Sequence, residues 1–131
     1  MTLSWKYLKQ FHFNPPNVIL PRKEKVQKKY DIHKEKICMP IDKYILDTIL
    51  HNLKYKITIN RFPYDIEKNI SHHILWISPN HKLLKKEIES IINNYFEYKK
   101  FICYKNKIEV RSIKTIEHYH IFIFQNMLNH L

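Results

Sequence analysis

The sequence predicts an α+β fold: an antiparallel-rich sheet carrying a central amphipathic helix, preceded by a helical, basic N-terminal region. Three observations carry this. Apolar residues recur at helical spacing through the first 53 residues. Residues 54–62, KYKITINRF, then switch to strict alternation, the period of a strand. Finally, one long helical stripe lies between short β-branched and aromatic runs in the C-terminal half. The expectation is a single domain, residues 1–131, with a helical basic part over 1–53 and a ββαβββ core over 54–131.

Ser4 is followed by WKYLKQF, a short capped helix with Trp5 and Leu8 on one face, and NPPN at 14–17 ends it. Pro21 suits the first turn of a second helix, in which Val26, Tyr30, His33 and Ile37 follow the helical period and the other face is nearly all lysine. Pro40 opens a third, with Ile41, Tyr44, Ile45 and Ile49 inward. In the first strand Tyr55, Ile57 and Ile59 alternate with polar residues until Pro63 ends it; SHHILWIS (71–78) reads as a buried central strand. Leu84, Ile88, Ile91, Ile92 and Tyr95 define the clearest amphipathic helix, with Ser78-Pro79 at its start. Residues 101–105, 107–113 and 118–124 read as further strands, the first two joined by a hairpin at Asn106.

The 131 residues are 44% hydrophobic and 14% aromatic, a globular composition, and no run approaches the ~18 apolar residues of a membrane span. MTLSWKYLKQ lacks the apolar core of a secretory signal, so an intracellular setting, cytoplasm or nucleus, is expected. Cys38 and Cys103 form no CxxC pair and are expected to stay reduced. The net charge of +11 draws polyanions, although a chain crowded with Ile, Lys, Asn, Tyr and Phe also reflects an AT-rich genome, as in some viruses, where a virion location is a further option. The absence of glycine excludes a P-loop and a GxGxxG fingerprint. Turns that need a positive φ must then use Asn or Asp, as at Asn80, Asn106 or Asp65.

In strands, alternate side chains share a face. His118, His120, Phe122 and Phe124 therefore line one side of the last strand, and His72, Ile74 and Trp76 one side of the second. If the two strands are close, imidazoles converge near one sheet edge. Such a group suits phosphate contact, with a neutral histidine as nucleophile or acid and Lys105, Arg111 and Lys114 as charge clamps. It also suits a divalent metal on His72, His118 and His120 with Glu117 or Glu109, although nothing calls for a cofactor. The plainer role of a strand-end histidine is to donate to a backbone carbonyl.

The residues Ser4-Trp5, Tyr30, Asn60, Pro63-Tyr64, His72, Trp76, Lys105-Asn106, Ser112 and Glu117-His118-Tyr119-His120 occur in an order that resembles the fungal N-acetylglucosamine-induced protein family, a domain of unknown function. Asp65 stands where that family often has glycine. More remotely, the strand–loop–strand around NRFPYD and the closing HYHIFIF are similar to histidine-triad proteins. That resemblance implies His118 as supporting histidine, His120 as nucleophile on an α-phosphate and His72 or His73 as the early histidine. Phe122 takes the third triad position. The implied shared site is Asn60, Pro63, Tyr64, His72, Trp76, Lys105, Ser112, His118 and His120.

The expected function is binding of a nucleotide or other phosphorylated ligand at this strand-end site, with histidine-triad-type hydrolase or transferase chemistry as its catalytic form. The alternative is a non-catalytic module that grips nucleic acid or an acidic protein through the 22–36 helix, using Arg22, Lys23, Lys25, Lys28 and Lys29.

Overall fold

The computed structural model describes residues 2–110 and 113–125. Among these described residues, four α-helices and four strands follow in the order α1 (Trp5–Lys9), α2 (Glu24–Lys36), α3 (Ile41–Ile45), β1 (Tyr55–Ile59), β2 (Ile70–Ile77), α4 (Lys85–Tyr95), β3 (Phe101–Tyr104) and β4 (His118–Phe124). A π-helical segment, Leu46–Leu50, continues α3. The strands form an antiparallel sheet in the order β1-β2-β4-β3, so β2 and β4 are central, as the apolar run of β2 predicts.

Period two divides the sheet into two faces. On one, Leu75, Ile77, Cys103, Ile121 and Ile123 pack against Ile88 and Ile92 of α4. On the other, Ile74 and Trp76 pack with Ile45 and Leu50 of the α3 segment, while Phe122, Ile102 and Tyr104 pack with Leu3, Leu8 and Tyr64. Helix α1 forms as expected: the Ser4 hydroxyl accepts the Tyr7 N–H at 3.1 Å, and Leu8 is buried. Helix α2 buries no residue fully, so its half-buried Tyr30 and His33 are held against loop residues rather than inside a core.

Several local expectations are corrected. Helix α4 is capped at Leu84 and starts at Lys85, not at Ser78-Pro79, because the Glu87 carboxylate accepts the Leu84 N–H at 3.0 Å. Leu84 and Tyr95 are exposed at its ends, and so are Tyr55 and Ile59 on the edge strand. No strand forms over the described residues of 107–113. Instead a turn forms, with the Val110 N–H bonding Lys107 O at 2.9 Å, and the Asn106 hairpin is absent. The outer edge of β3, which that strand would have taken, is met instead at Cys103. There the Phe13 N–H donates to Cys103 O at 2.7 Å and the Cys103 N–H donates to His12 Nδ1 at 3.1 Å.

The positive-φ positions among the described residues are Phe13, His51, Asn52, Glu97 and Tyr98, not Asn80, Asn106 or Asp65. Four of the five follow helix ends. After α4, the Tyr98 N–H returns to Asn93 O at 2.8 Å, the closure a helix C-terminus makes with a left-handed residue. Without glycine, bulkier residues carry the cost of that conformation, about 1–2 kcal/mol each.

Ile92, with none of its surface exposed, is the centre of the α4–sheet contact. Ile92→Ala is expected to lower unfolding free energy by about 2–5 kcal/mol, read from the urea midpoint. A shift below about 1 kcal/mol would mean that α4 does not hold the sheet in this way.

Candidate functional site

The β2–β4 register sets His120 opposite Ile74 and His118 opposite Trp76, with His72 opposite Phe122. His72 and His120 therefore sit diagonally on one face, and their rings meet: His72 Nε2 lies 2.9 Å from His120 Nδ1. His73 faces the other side, where its Nε2 lies 2.9 Å from Ser71 Oγ. Of the two neighbouring histidines, His72 is thus the one that meets His120.

The loop between β1 and β2 is built around His72. The Asn60 N–H donates to His72 O at 2.9 Å, and Asn60 Oδ1 accepts the Phe62 N–H at 2.8 Å, which tightens the turn. Pro63 has no N–H to place, and the Tyr64 N–H next to it donates to His72 Nδ1 at 3.2 Å. The Asn-x-x-Pro-Tyr pattern is therefore a device for orienting an imidazole.

Proton counting then settles the ring forms. A backbone N–H can only donate, so His72 Nδ1 accepts and the neutral ring carries its proton on Nε2. That proton goes to His120 Nδ1, and the neutral His120 ring carries its own on Nε2. His120 Nε2 lies 3.4 Å from Tyr64 Oη and 3.3 Å from the Asn106 side-chain nitrogen, while Asn106 Oδ1 is buried without a partner among the described groups. A half-turn of that amide exchanges its two polar atoms and gives His120 Nε2–H an acceptor. His118 has the opposite polarity. Its Nδ1 stands 3.0 Å from Ile116 O, which can only accept, so the neutral ring has its lone pair on Nε2.

Burial holds both central rings well below the ordinary imidazole value. For His72 desolvation leads, followed by the Arg22 cation and His73; for His120 desolvation leads, followed by His72, His118 and Arg22. Burial likewise raises the Tyr64 and Tyr104 phenols. The two phenols feel one another, yet Tyr104 Oη makes no hydrogen bond of good geometry.

Tyr64, Asn106, His118 and His120 form the inner wall of a cleft of about 490 Å³, between the sheet on one side and α2 and the α3 segment on the other. Its walls include the rings of Tyr30, Tyr44, Phe62, Tyr64 and Trp76. Its cations are the half-buried Arg22 and the exposed Lys34 and Arg61, His33 lines it as well, and no carboxylate lines it among the described residues. Arg22 is drawn in from the basic N-terminal segment. Its Nε donates to Phe62 O at 2.7 Å, and its guanidinium lies 4.3 Å from the Tyr30 ring centre.

The cleft therefore gathers Asn60, Tyr64, Trp76, His118 and His120, with His72 directly behind His120. Pro63 shapes the loop without lining the cleft. Lys105 does not reach it: its ammonium pairs with Glu117 at 3.2 Å and lies over the Tyr119 ring on the opposite face. Lys114 is exposed outside it, and Arg111 and Ser112 lie outside the described residues. Of the residues set out for nucleic acid, Lys23, Lys25, Lys28 and Lys29 are exposed along α2, with Lys28 paired to Glu24 at 3.3 Å, and Arg22 turns inward. Among the described residues no group of three or more His, Cys, Asp or Glu is placed to hold a metal. Glu117 is engaged by Lys105, and the Nδ1 lone pairs of His72 and His120 are already accepting.

Sequence reasoning missed Tyr30, His33, Tyr44, Phe62 and Arg61 as wall residues and took Asn106 for a turn. The signal for Tyr30, His33 and Tyr44 was present, since they share the apolar faces of their helices. Such a face reads as core until the sheet is seen to stand away from it.

Over residues 4–124 the chain matches the family described as "Protein of unknown function (DUF3605)", and it belongs to that family. A crystal structure of a protein named HTC1 shares its fold at a TM-score of 0.66 and 20% identity, covering 94% of this chain and 85% of that one. No curated protein matches the chain. No helix among the described residues is long and apolar enough to cross a membrane.

Two outcomes are expected from the buried ring pair. First, because the folded values of His72 and His120 lie below the unfolded value, the unfolded chain binds more protons in acid. Their stability contribution is complete above the unfolded value near 6.5 and is lost as pH falls from there towards the folded values. Burial shifts His12 and His73 in the same direction. Urea unfolding between pH 8 and 5 should show a decline approaching roughly 1 kcal/mol per pH unit for each central ring, and His120→Gln should remove one share; a flat profile would show that the rings titrate normally. Second, Tyr104→Phe should leave stability unchanged or raise it by up to about 1 kcal/mol, because the hydroxyl has only a poorly aligned contact with the Tyr64 hydroxyl to lose. A thermal melt that drops by several degrees would reveal a partner for that hydroxyl.

Proposed function

We propose that this family member is a binding protein for a nucleotide or similar phosphorylated small molecule, held in the cleft between the sheet and α2. The observation that carries this reading is the lining itself: five aromatic rings and three cationic side chains around about 490 Å³, with no carboxylate among the described lining residues. Small-molecule sites run from roughly 300 to 1,000 Å³, mostly apolar with a few convergent polar groups. Rings suit a planar base, and Arg22, Lys34 and Arg61 suit a phosphate.

Binding is favoured over turnover by His120. A nucleophilic histidine needs a lone pair on the nitrogen that faces the substrate. The hydrogen-bond chain from Tyr64 N–H through His72 supports a proton there instead. Of the residues implied by the histidine-triad resemblance, His118 is the ring whose Nδ1 is tied to a carbonyl, which is the arrangement a base would use. The likeness to the fungal N-acetylglucosamine-induced family supports the same residues, Asn60, Tyr64, His72, Trp76, His118 and His120, without adding a reaction.

Calorimetric titration with nucleoside mono-, di- and triphosphates tests the proposal. At least one should bind with a dissociation constant in the micromolar range, weakening as salt rises. Arg61→Ala and Lys34→Ala, both at exposed positions, should each lower affinity about 3- to 10-fold without altering the melting temperature. Absence of binding across the panel sinks the reading; salt-sensitive binding of duplex DNA, lost on replacing Lys25, Lys28 and Lys29, would favour the helix as the functional surface.

A further inference from the structure

The cleft changes character with depth. At the rim, His33 is half-buried and Lys34 and Arg61 are exposed. Arg22 stands at mid-depth, its guanidinium 5.3 Å from the Tyr64 ring centre, with its Nε tied to Phe62 O. At the floor, Tyr64, Asn106, His118 and His120 are all buried.

The His72–His120 pair makes the floor polar without adding charge to it. His72 and His120 are neutral rings whose Nδ1 lone pairs are already used, and His120 therefore presents Nε2–H. Tyr64 adds a hydroxyl 3.4 Å from that nitrogen, and Asn106 adds an amide at 3.3 Å. Whichever way that amide is turned, one polar atom of a side chain only 4% exposed is left without a partner among the described groups. An unmatched polar atom inside a protein is costly, and because Asn106 lines the cleft, a rotation of its amide towards a ligand that brings the complementary group would match it.

We propose that the floor takes the uncharged hydrogen-bonding edge of a nucleobase, with His120 Nε2–H and the Asn106 amide as its partners, while Lys34 and Arg61 hold the phosphate at the rim. The ligand enters base first. A phosphate at the floor would exchange full hydration for a few neutral donors in a place where even an imidazolium is disfavoured, whereas the rim offers it cations that remain in water. A base edge carries both donors and acceptors and no charge, which matches the floor group for group. This inference rests on the reading of the cleft as a nucleotide site and adds to it the direction of binding and the part of the ligand that is recognised.

The test uses the full chain with three probes: the four ribonucleosides, their 5′-monophosphates, and pyrophosphate. Binding is followed by calorimetry and by the ¹⁵N-labelled imidazole signals of His120. At least one nucleoside is expected to bind, within about 30-fold of its monophosphate, and to move the His120 signals. Pyrophosphate should leave those signals in place. Asn106→Leu should weaken nucleoside and monophosphate together by about 10-fold, whereas the Lys34→Ala, Arg61→Ala double variant should weaken only the monophosphate. Tyr64→Phe, which removes a single hydroxyl, takes the place of Asn106→Leu if that variant does not fold, and the same joint loss is expected. If monophosphates bind but pyrophosphate alone moves the His120 signals, or nucleosides bind without moving them, the base-first orientation is wrong while the nucleotide reading stands. If no nucleoside or nucleotide binds, both fall together.

Discussion

One backbone N–H organises this site. Because Pro63 has none, Tyr64 supplies the first N–H beyond the turn that Asn60 closes, and it is spent on His72 Nδ1. Everything downstream is proton arithmetic. His72 must donate from Nε2, His120 must accept at Nδ1, and the last proton of the chain ends up at the cleft floor. Histidines could take many roles here. A fixed donor at the head of the line leaves each ring with one.

That chain also explains why two imidazoles tolerate deep burial. Neutral rings joined by a 2.9 Å hydrogen bond are satisfied without charge, and the nearby Arg22 guanidinium opposes protonation of both. Arg22 in turn is fixed by Phe62 O and by the ring of Tyr30. Helix α2, which has no fully buried residue, is thus tied to the sheet side largely through side chains that also wall the cleft. Fold and site share the same contacts on that side, whereas on the opposite face α4 and the sheet form an ordinary apolar core.

The absence of glycine shaped the fold less than expected. Positive φ angles fall on Phe13, His51, Asn52, Glu97 and Tyr98, near helix ends where the chain must reverse. Asn106, read as a turn residue, is instead buried beside His120. The absence of a strand over the described residues of 107–113 and the cleft-lining Asn106 have one cause. A β-propensity run pairs only where an edge is offered, and the outer edge of β3 is engaged by His12 and Phe13.

The sequence by itself determined which residues share a face, because period two and period 3.6 are properties of the backbone. The strand at 118–124, the central place of the second strand, the Ser4 cap and the burial of Ile88 and Ile92 at the middle of the α4 stripe follow from it. So does the placing of His72, Ile74 and Trp76 on one side and His118, His120 and Phe122 on one side. What only the tertiary structure decided was register and distance. Antiparallel pairing of β2 with β4 brought His72 within hydrogen-bonding reach of His120, and the Asn60–Tyr64 loop then set the direction of every proton between them. Long-range packing also turned Arg22, Tyr30, His33 and Tyr44 from stripes on separate helices into one wall, and kept Lys105 away from it. Spacing along a chain says what can face the same way; only packing says what ends up within 3 Å, and the chemistry of a hydrogen bond depends on the second.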